Sequence, residues 1–298
     1  MTPFARLLLT SSALGKASST PEDLRRAVRD AAGSGGSVEV FETAGDPREP
    51  ARLSTLFATP GAARSRATLV FLHGKGGCGA EFRPDAARAL KLGYNVLVPE
   101  LRAHPPSTGE RITYGLFERV DVALVLADAA RRFGLDLSRL GLDACSAGTL
   151  VALQVAAATP DLRALWLHSP FGNLRQMAVQ YLHRATSLPS ALLALPAHAV
   201  LSQVSCATGI DLEAVDPVAA ARRVTCPTMV VHGENDVLVP IRFAPAIYEA
   251  LEVPKEFWRV PRAGHCHHPD EPQALYRVEY LSRWTAFFTG HLPVRSAR

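Results

Sequence analysis

Ala144-Cys145-Ser146-Ala147-Gly148 is the stretch that decides the fold. The apolar run Leu137 to Asp143 before it reads as a buried strand. The run Thr149-Leu150-Val151-Ala152-Leu153-Gln154-Val155-Ala156-Ala157-Ala158 after it reads as a helix with small and aliphatic faces. A serine at such a corner, with a small residue two positions to either side, fits a strained turn that pushes its hydroxyl out at a helix N-terminus. Side chains at the flanking positions would collide with the neighbouring strand and helix. Gly148 fits, and Ala144 is the next smallest residue after glycine. Backbone N–H groups and the helix dipole at that terminus favour developing negative charge. The plainer reading is a helix N-cap serine after a core strand.

Working outward, strands and helices alternate. Ser37 to Thr43 and Arg52 to Thr59 alternate as an antiparallel pair joined by a Gly/Asp/Pro turn. Strands are expected at Thr68 to His73, Tyr94 to Pro99, Ala164 to His168, Thr228 to His232 and Glu256 to Val260. Helices are expected at Pro21 to Ala32, Glu81 to Leu92, Tyr114 to Phe133, Ile241 to Leu251 and Gln273 to Phe288. Continuous apolar strands separated by helices imply a mostly parallel sheet with helices on both faces. Residues 1–36 read as an N-terminal extension to a domain spanning 37–298. About 170–217 interrupts the alternation as a small helical cap insertion. Its apolar residues Phe171, Met177, Tyr181, Leu192, Leu193 and Leu195 are candidates both for a cap core and for a substrate pocket.

The bulk properties narrow the function. The 298 residues suffice for one large core, and the net charge of +4 comes from interleaved acids and bases. That pattern speaks against nucleic acid as a partner. No apolar run is long enough for membrane insertion. The N-terminal Arg6-Leu7-Leu8-Leu9 is broken by Thr10-Ser11-Ser12, too short a run for an export signal. The five cysteines, Cys78, Cys145, Cys206, Cys226 and Cys266, are odd in number and scattered. This spacing predicts a reducing, cytoplasmic setting rather than disulfides. Cys145 is expected to pack beneath the corner, with Cys78 and Cys266 near a pocket mouth. Cys266 lies among His265, His267 and His268, but no second cluster completes a metal site, so neither metal nor cofactor is expected.

Three further segments supply chemistry. Leu72-His73-Gly74-Lys75-Gly76-Gly77 follows a buried strand, so its backbone can approach a substrate closely. It lacks the spacing of a phosphate-binding P-loop. The N–H groups of Lys75 and Ala147 would share one developing oxyanion, and His73 would hold the loop. Asp236, in Gly233-Glu234-Asn235-Asp236, can fix an imidazole tautomer, with Glu234 as competitor. His265, after Ala263-Gly264, has the side chain suited to proton shuttling near neutrality. Gly264 is expected to supply the turn that aims it, and His267 and His268 compete.

These segments resemble the α/β-hydrolase superfamily from about Val38 to the closing helix. Pro99-Glu100-Leu101-Arg102-Ala103-His104, Ser107-Thr108-Gly109, Thr113-Tyr114-Gly115 and Asp211 to Pro217 look like its serine-aminopeptidase-like and esterase-like subgroup. The chain departs from the pattern at Ala144 for Gly, at Pro105-Pro106 where a glycine is usual, and at Glu100 where Asp is usual. The resemblance implies a catalytic triad of Ser146, Asp236 and His265 with an oxyanion hole at Lys75 and Ala147. A serine nucleophile disfavours the Asp-using dehalogenase and epoxide-hydrolase branches. The implied partner is a small-molecule acyl substrate, with Phe171, Met177 and Tyr181 lining its site. Carboxylic-ester hydrolysis ranks ahead of peptidase, amidase, thioesterase and acyltransferase chemistry. A non-catalytic ligand-binding protein on this fold is the competing class.

Overall fold

The computed structural model describes residues 8–11, 20–61, 66–266 and 276–294. In chain order its main elements are helix α1 (Pro21–Ala32), strands β1 (Ser37–Ala44), β2 (Arg52–Thr59) and β3 (Thr68–Leu72), helix α2 (Arg83–Lys91) and strand β4 (Asn95–Pro99). Then come α3 (Glu118–Phe133), β5 (Leu140–Cys145), α4 (Ala147–Ala157), β6 (Ala164–His168), α5 (Leu174–Thr186), α6 (Ala194–Thr208) and α7 (Pro217–Ala221). The last are β7 (Thr228–Gly233), α8 (Pro245–Ala250), β8 (Lys255–Val260) and α9 (Arg277–His291).

The strands form one eight-stranded sheet in the order β1-β2-β4-β3-β5-β6-β7-β8. The β1–β2 and β2–β4 pairs are antiparallel, and every pair from β4 onward is parallel. Both faces are covered, as uniformly buried strands require. On one face Val122, Val125, Val151, Leu153 and Ile247 pack against Leu142 and Leu165. On the other, Leu24, Val28, Leu90, Trp284 and Phe288 pack against Leu69, Phe71 and Trp166. Helix α1 opens with a reciprocal cap in which Thr20 accepts from the Asp23 N–H and Asp23 accepts from the Thr20 N–H.

Polar groups inside this sheet brace the β5–α4 corner. Asp143 on β5 accepts from the Trp284 indole at 2.7 Å and lies 3.2 Å from His168 Nε2, to which the Tyr280 hydroxyl comes within 3.2 Å. These contacts tie β5, β6 and α9 together behind Ser146, and a buried carboxylate needs such partners.

Three expected helices begin or run differently. Helix α3 starts at Glu118 rather than Tyr114, because Tyr114 and Gly115 take left-handed backbone conformations and the buried Glu118 carboxylate accepts from the Thr113 and Gly115 N–H groups. The expected Glu81–Leu92 helix starts as a short 3₁₀ turn over Gly79–Phe82, and Pro84 stands in the first turn of α2. Ile241–Phe243 is likewise a 3₁₀ turn, since Pro245 opens α8 and cannot continue an earlier helix. The expected start of the closing helix at Gln273 lies outside the described residues, as do His267 and His268.

Between β6 and β7, α5 and α6 pack on each other above the C-terminal edge of the sheet. Phe171, Met177, Tyr181, Ala197 and Leu201 share one buried cluster with Ala147, Leu150 and Tyr114. Leu192 and Leu195 do not join it. They are 66% and 82% exposed: Leu192 ends the short 3₁₀ turn Ser190–Leu192, and Leu195 lies in the first turn of α6, off the face that carries Ala197 and Leu201 into the cluster.

Candidate active site

Ser146 lies between β5 and α4 with φ 52° and ψ −123°, a conformation that L residues rarely adopt. Its N–H donates to His168 O at 2.9 Å, which fixes the corner to β6. Glycine is obligatory two residues later: a Cβ on Gly148 would lie 2.3 Å from Leu72 O and 2.5 Å from His73 O. Gly74 is less tightly constrained: a Cβ there would stand 3.0 Å from Ser146 Cβ and 3.3 Å from Cys145 O. The glycine loop and the serine corner are therefore close neighbours.

Asp236 and His265 meet at 2.8 Å between Oδ2 and Nδ1. Oδ2 also accepts from the Ser169 hydroxyl at 2.8 Å, while Oδ1 accepts from the N–H groups of Leu238 and Val239 at 3.0 and 2.8 Å. Burial by itself would raise the Asp236 pKa. Hydrogen bonding with His232 and His265, the nearby His265 charge and the Val239 amide outweigh it and hold the carboxyl well below its usual range. Ser169 was not singled out in the sequence, because it reaches Asp236 only through the packing of β6 on β7, whereas His232 stands on β7 four residues before Asp236 and its Nε2 lies 3.4 Å from Oδ2. Glu234, the competing acid, is exposed.

The turn that aims His265 is not made by Gly264, which has ordinary backbone angles and open space around its Cβ position. Arg262 and Cys266 take the positive φ angles, 61° and 42°. The glycine this loop needs is Gly233, where a Cβ would lie 2.2 Å from Gly264 O and 2.4 Å from Ala263 O. That close approach lets the Asn235 N–H donate to Ala263 O at 2.9 Å and locks the acid and histidine loops together.

A disulfide joins Cys145 and Cys266, across 121 residues of sequence and with Cα atoms 6.2 Å apart. This corrects the expectation of unpaired thiols and removes the ground on which a reducing compartment was inferred. The elbow follows β5 and the histidine loop follows β8, so the disulfide spans the C-terminal ends of the intervening β6 and β7. Cys78 is buried elsewhere, its thiol pushed up to about 11 by burial and the Glu100 charge. His265 Nε2 lies 3.5 Å from Cys266 Sγ, and among the described residues no hydrogen bond joins it to Ser146 Oγ.

In the glycine loop, His73 Nδ1 lies 2.8 Å from Gly74 O and its Nε2 accepts from the Leu101 N–H at 2.9 Å, so it holds the loop. His104 does the same for Gly76, whose N–H donates to Nε2 at 3.0 Å while Nδ1 lies 2.8 Å from Arg102 O. Burial and the neighbouring His73 and Lys75 charges push the His104 pKa down to about 3, so it is a neutral acceptor. The Gly76 N–H is thus occupied, and the Gly77 N–H donates to Gly74 O at 3.2 Å. The N–H groups of Lys75 and Ala147 are taken by no protein acceptor among the described residues. His104 was quoted in the sequence only as part of a family-like segment; its role appears once the loop is folded against it.

The Lys75 side chain is 8% exposed and its ammonium lies 5.7 Å from the centre of the Tyr181 ring. Burial lowers its pKa to about 8. Phe171, Met177 and Tyr181 stand together in the cluster that also contains Ala147, on the cap side of the corner.

Among the described residues, no helix is long and apolar enough to cross a membrane. The family model for the alpha/beta hydrolase fold matches residues 67–201. The chain is 26% identical over 193 residues to the uncharacterised protein YqkD of Bacillus subtilis (strain 168), covering 63% of this chain and 61% of that protein. It is 27% identical over 205 residues to the alpha/beta hydrolase domain-containing protein aho-3 of Caenorhabditis elegans, covering 67% of this chain and 53% of that protein. The chain thus spans somewhat more than half the length of these curated relatives. The Pyrococcus furiosus esterase Pf2001 superposes with a TM-score of 0.69 at 22% identity, covering 93% of this chain and 96% of that one. Taken with the sheet order, the serine corner and the acid and histidine loops, these similarities show that the chain has the α/β-hydrolase fold.

Proposed function

We propose that the protein is a serine hydrolase that cleaves carboxylic esters through an acyl-enzyme. The observation that carries this reading is the Asp236–His265 contact of 2.8 Å at the strand edge where Ser146 is held with a left-handed φ of 52°. In this mechanism Asp236 keeps the Nδ1 proton of His265 in place, leaving Nε2 as the base. Nε2 takes the Ser146 proton as Oγ attacks the carbonyl carbon. Charge then develops on the carbonyl oxygen, where the Lys75 and Ala147 N–H groups stabilise it. His265 returns the proton to the departing alkoxide, and a water deprotonated by the same nitrogen releases the acid.

The mechanism requires His265 Nε2 to turn from Cys266 Sγ towards Ser146 Oγ, a closing of the gap that substrate binding commonly brings about. Phe171, Met177 and Tyr181 are assigned to the acyl or aryl part of the substrate, since they form the apolar wall next to Ala147. Support for an ester rather than a peptide is the full-length likeness to an esterase, whose domain matches this one in extent. Replacing Ser146 by Ala is expected to preserve the melting temperature and to lower turnover of a short-chain aryl ester by about three orders of magnitude or more. An organophosphonate should add its mass to Ser146 in the unaltered protein and not in the variant. Near-normal turnover by Ser146→Ala would overturn the assignment.

A further inference from the structure

Among the described residues two long cations are buried, and they are treated differently. Arg102 is fully enclosed, and its guanidinium donates to both oxygens of Asp121, at 2.6 and 3.0 Å, and to Glu49 O at 3.1 Å. Lys75 is buried almost as deeply, yet among the described residues its ammonium has no hydrogen-bond partner and no carboxylate against it. Near it are the face of Tyr181, which satisfies none of its three N–H donors, and the neutral His104, whose protonation its charge opposes. A buried charge without a counter-charge is a rule broken, and sequences keep such breaches at functional positions. The position is suggestive: Lys75 follows Gly74, the residue pressed against Ser146, and its head lies under cap helix α5 beside the residues assigned to the acyl group.

We infer that the Lys75 ammonium is an anion subsite within the acyl pocket and that the preferred substrates are esters of acids bearing a second carboxylate. This rests on the hydrolase reading and adds the substrate class to it. The lone cation and its apolar surroundings favour a carboxylate over a phosphate. A carboxylate brings one negative charge, which the ammonium neutralises, whereas a phosphate dianion would remain half unpaired among Tyr181, Phe171 and Met177. The tail carboxylate would dock on Nζ while the scissile carbonyl reaches the Lys75 and Ala147 amides. One residue would then read both ends of the acyl chain, with its backbone at the reacting carbon and its side chain at the tail.

The test compares kcat/KM for para-nitrophenyl butyrate, mono-para-nitrophenyl glutarate and a para-nitrophenyl ester of a phosphono-acid of equal length. The glutarate ester is expected to exceed butyrate by about 10- to 100-fold, and that ratio should collapse to one or below in Lys75→Met and partly survive in Lys75→Arg. Because Lys75 also lends its backbone to the site, the ratio within each variant is the readout rather than either rate. A glutarate-to-butyrate ratio at or below one in the unaltered protein, or one unmoved by Lys75→Met, overturns the inference; a preference for the phosphono ester replaces carboxylate by phosphonate and overturns it equally. Titration calorimetry with monobenzyl glutarate on Ser146→Ala, with and without Lys75→Met, reads binding without turnover. Loss of heat on adding Lys75→Met supports the subsite and equal binding overturns it, even should no ester be cleaved and the hydrolase reading itself fail.

Discussion

Asp236 and Lys75 lie on two loops of one site and are opposites in how the protein treats a buried charge. Asp236 is surrounded by donors: His265, the Ser169 hydroxyl and the Leu238 and Val239 amides. Among the described residues Lys75 has none of the corresponding acceptors. The first arrangement stabilises an ionised carboxylate before any substrate arrives, so the anion supports both the fold and the histidine. The second leaves an ion desolvated and without a partner among the described residues, a cost that folding does not offset. The contrast teaches that folding completes the acid loop and leaves the glycine loop with an unmatched cation.

The largest expected effect comes from removing the finished charge. Asp236→Asn keeps the shape but loses the anion and reverses a hydrogen bond to His265, so kcat for an aryl ester should fall by about three to four orders of magnitude. Thermal melting should still show a cooperative transition. A loss below tenfold would mean that another group orients the imidazole.

Next comes the tether that holds the histidine loop on the elbow. Replacing Cys145 and Cys266 together by Ala opens a loop of 121 residues, and denaturant unfolding should report a loss of about 2–5 kcal/mol. Dithiothreitol on the unaltered protein should give a matching loss; no change in either experiment would show that the acid side owes its rigidity to Asp236 and Gly233 alone.

Lys75→Met should act with the opposite sign. Burial lowers the Lys75 pKa from 10.5 to about 8, so the folded state holds that proton less well than the unfolded chain. The cost is complete below about pH 8 and vanishes as the pH rises to about 10.5, amounting to roughly 3 kcal/mol at neutrality. The methionine variant should therefore melt about 5 °C higher at pH 7, with the gap closing by pH 10.5. Equal melting temperatures at pH 7 would mean that Lys75 is not strained in the free protein.

The smallest effect concerns acid. The depressed pKa of Asp236 contributes stability that is full above its ordinary value of 3.8 and is lost as the pH falls from there towards the lowered value. Asp236→Asn should remove that part of the acid sensitivity, seen as a flatter dependence of the melting temperature on pH below 4.

Much of this was legible before folding. The strand pattern and the residues of the Ser146 corner, the acid loop and His265 follow from local chemistry: apolar runs, small residues at tight corners, and a carboxylate and an imidazole in loops after strands. What was misread involves contact between distant segments. Gly264 was given the role that Gly233 performs, because the demand for a missing Cβ comes from backbone 30 residues away in the chain. Leu192 and Leu195 were grouped with the pocket because their hydrophobicity is local while the direction they face is not.

By itself the sequence determined the class of fold and the residue types available for chemistry, since period, size and pKa belong to each segment alone. Only the tertiary structure decided which cysteines join, which loop amides meet no protein acceptor among the described residues, and that Asp236 is satisfied while Lys75 is not. Those outcomes depend on which remote groups share a few ångströms of low-dielectric space, where a partner gained or missing changes the free energy of a charge most.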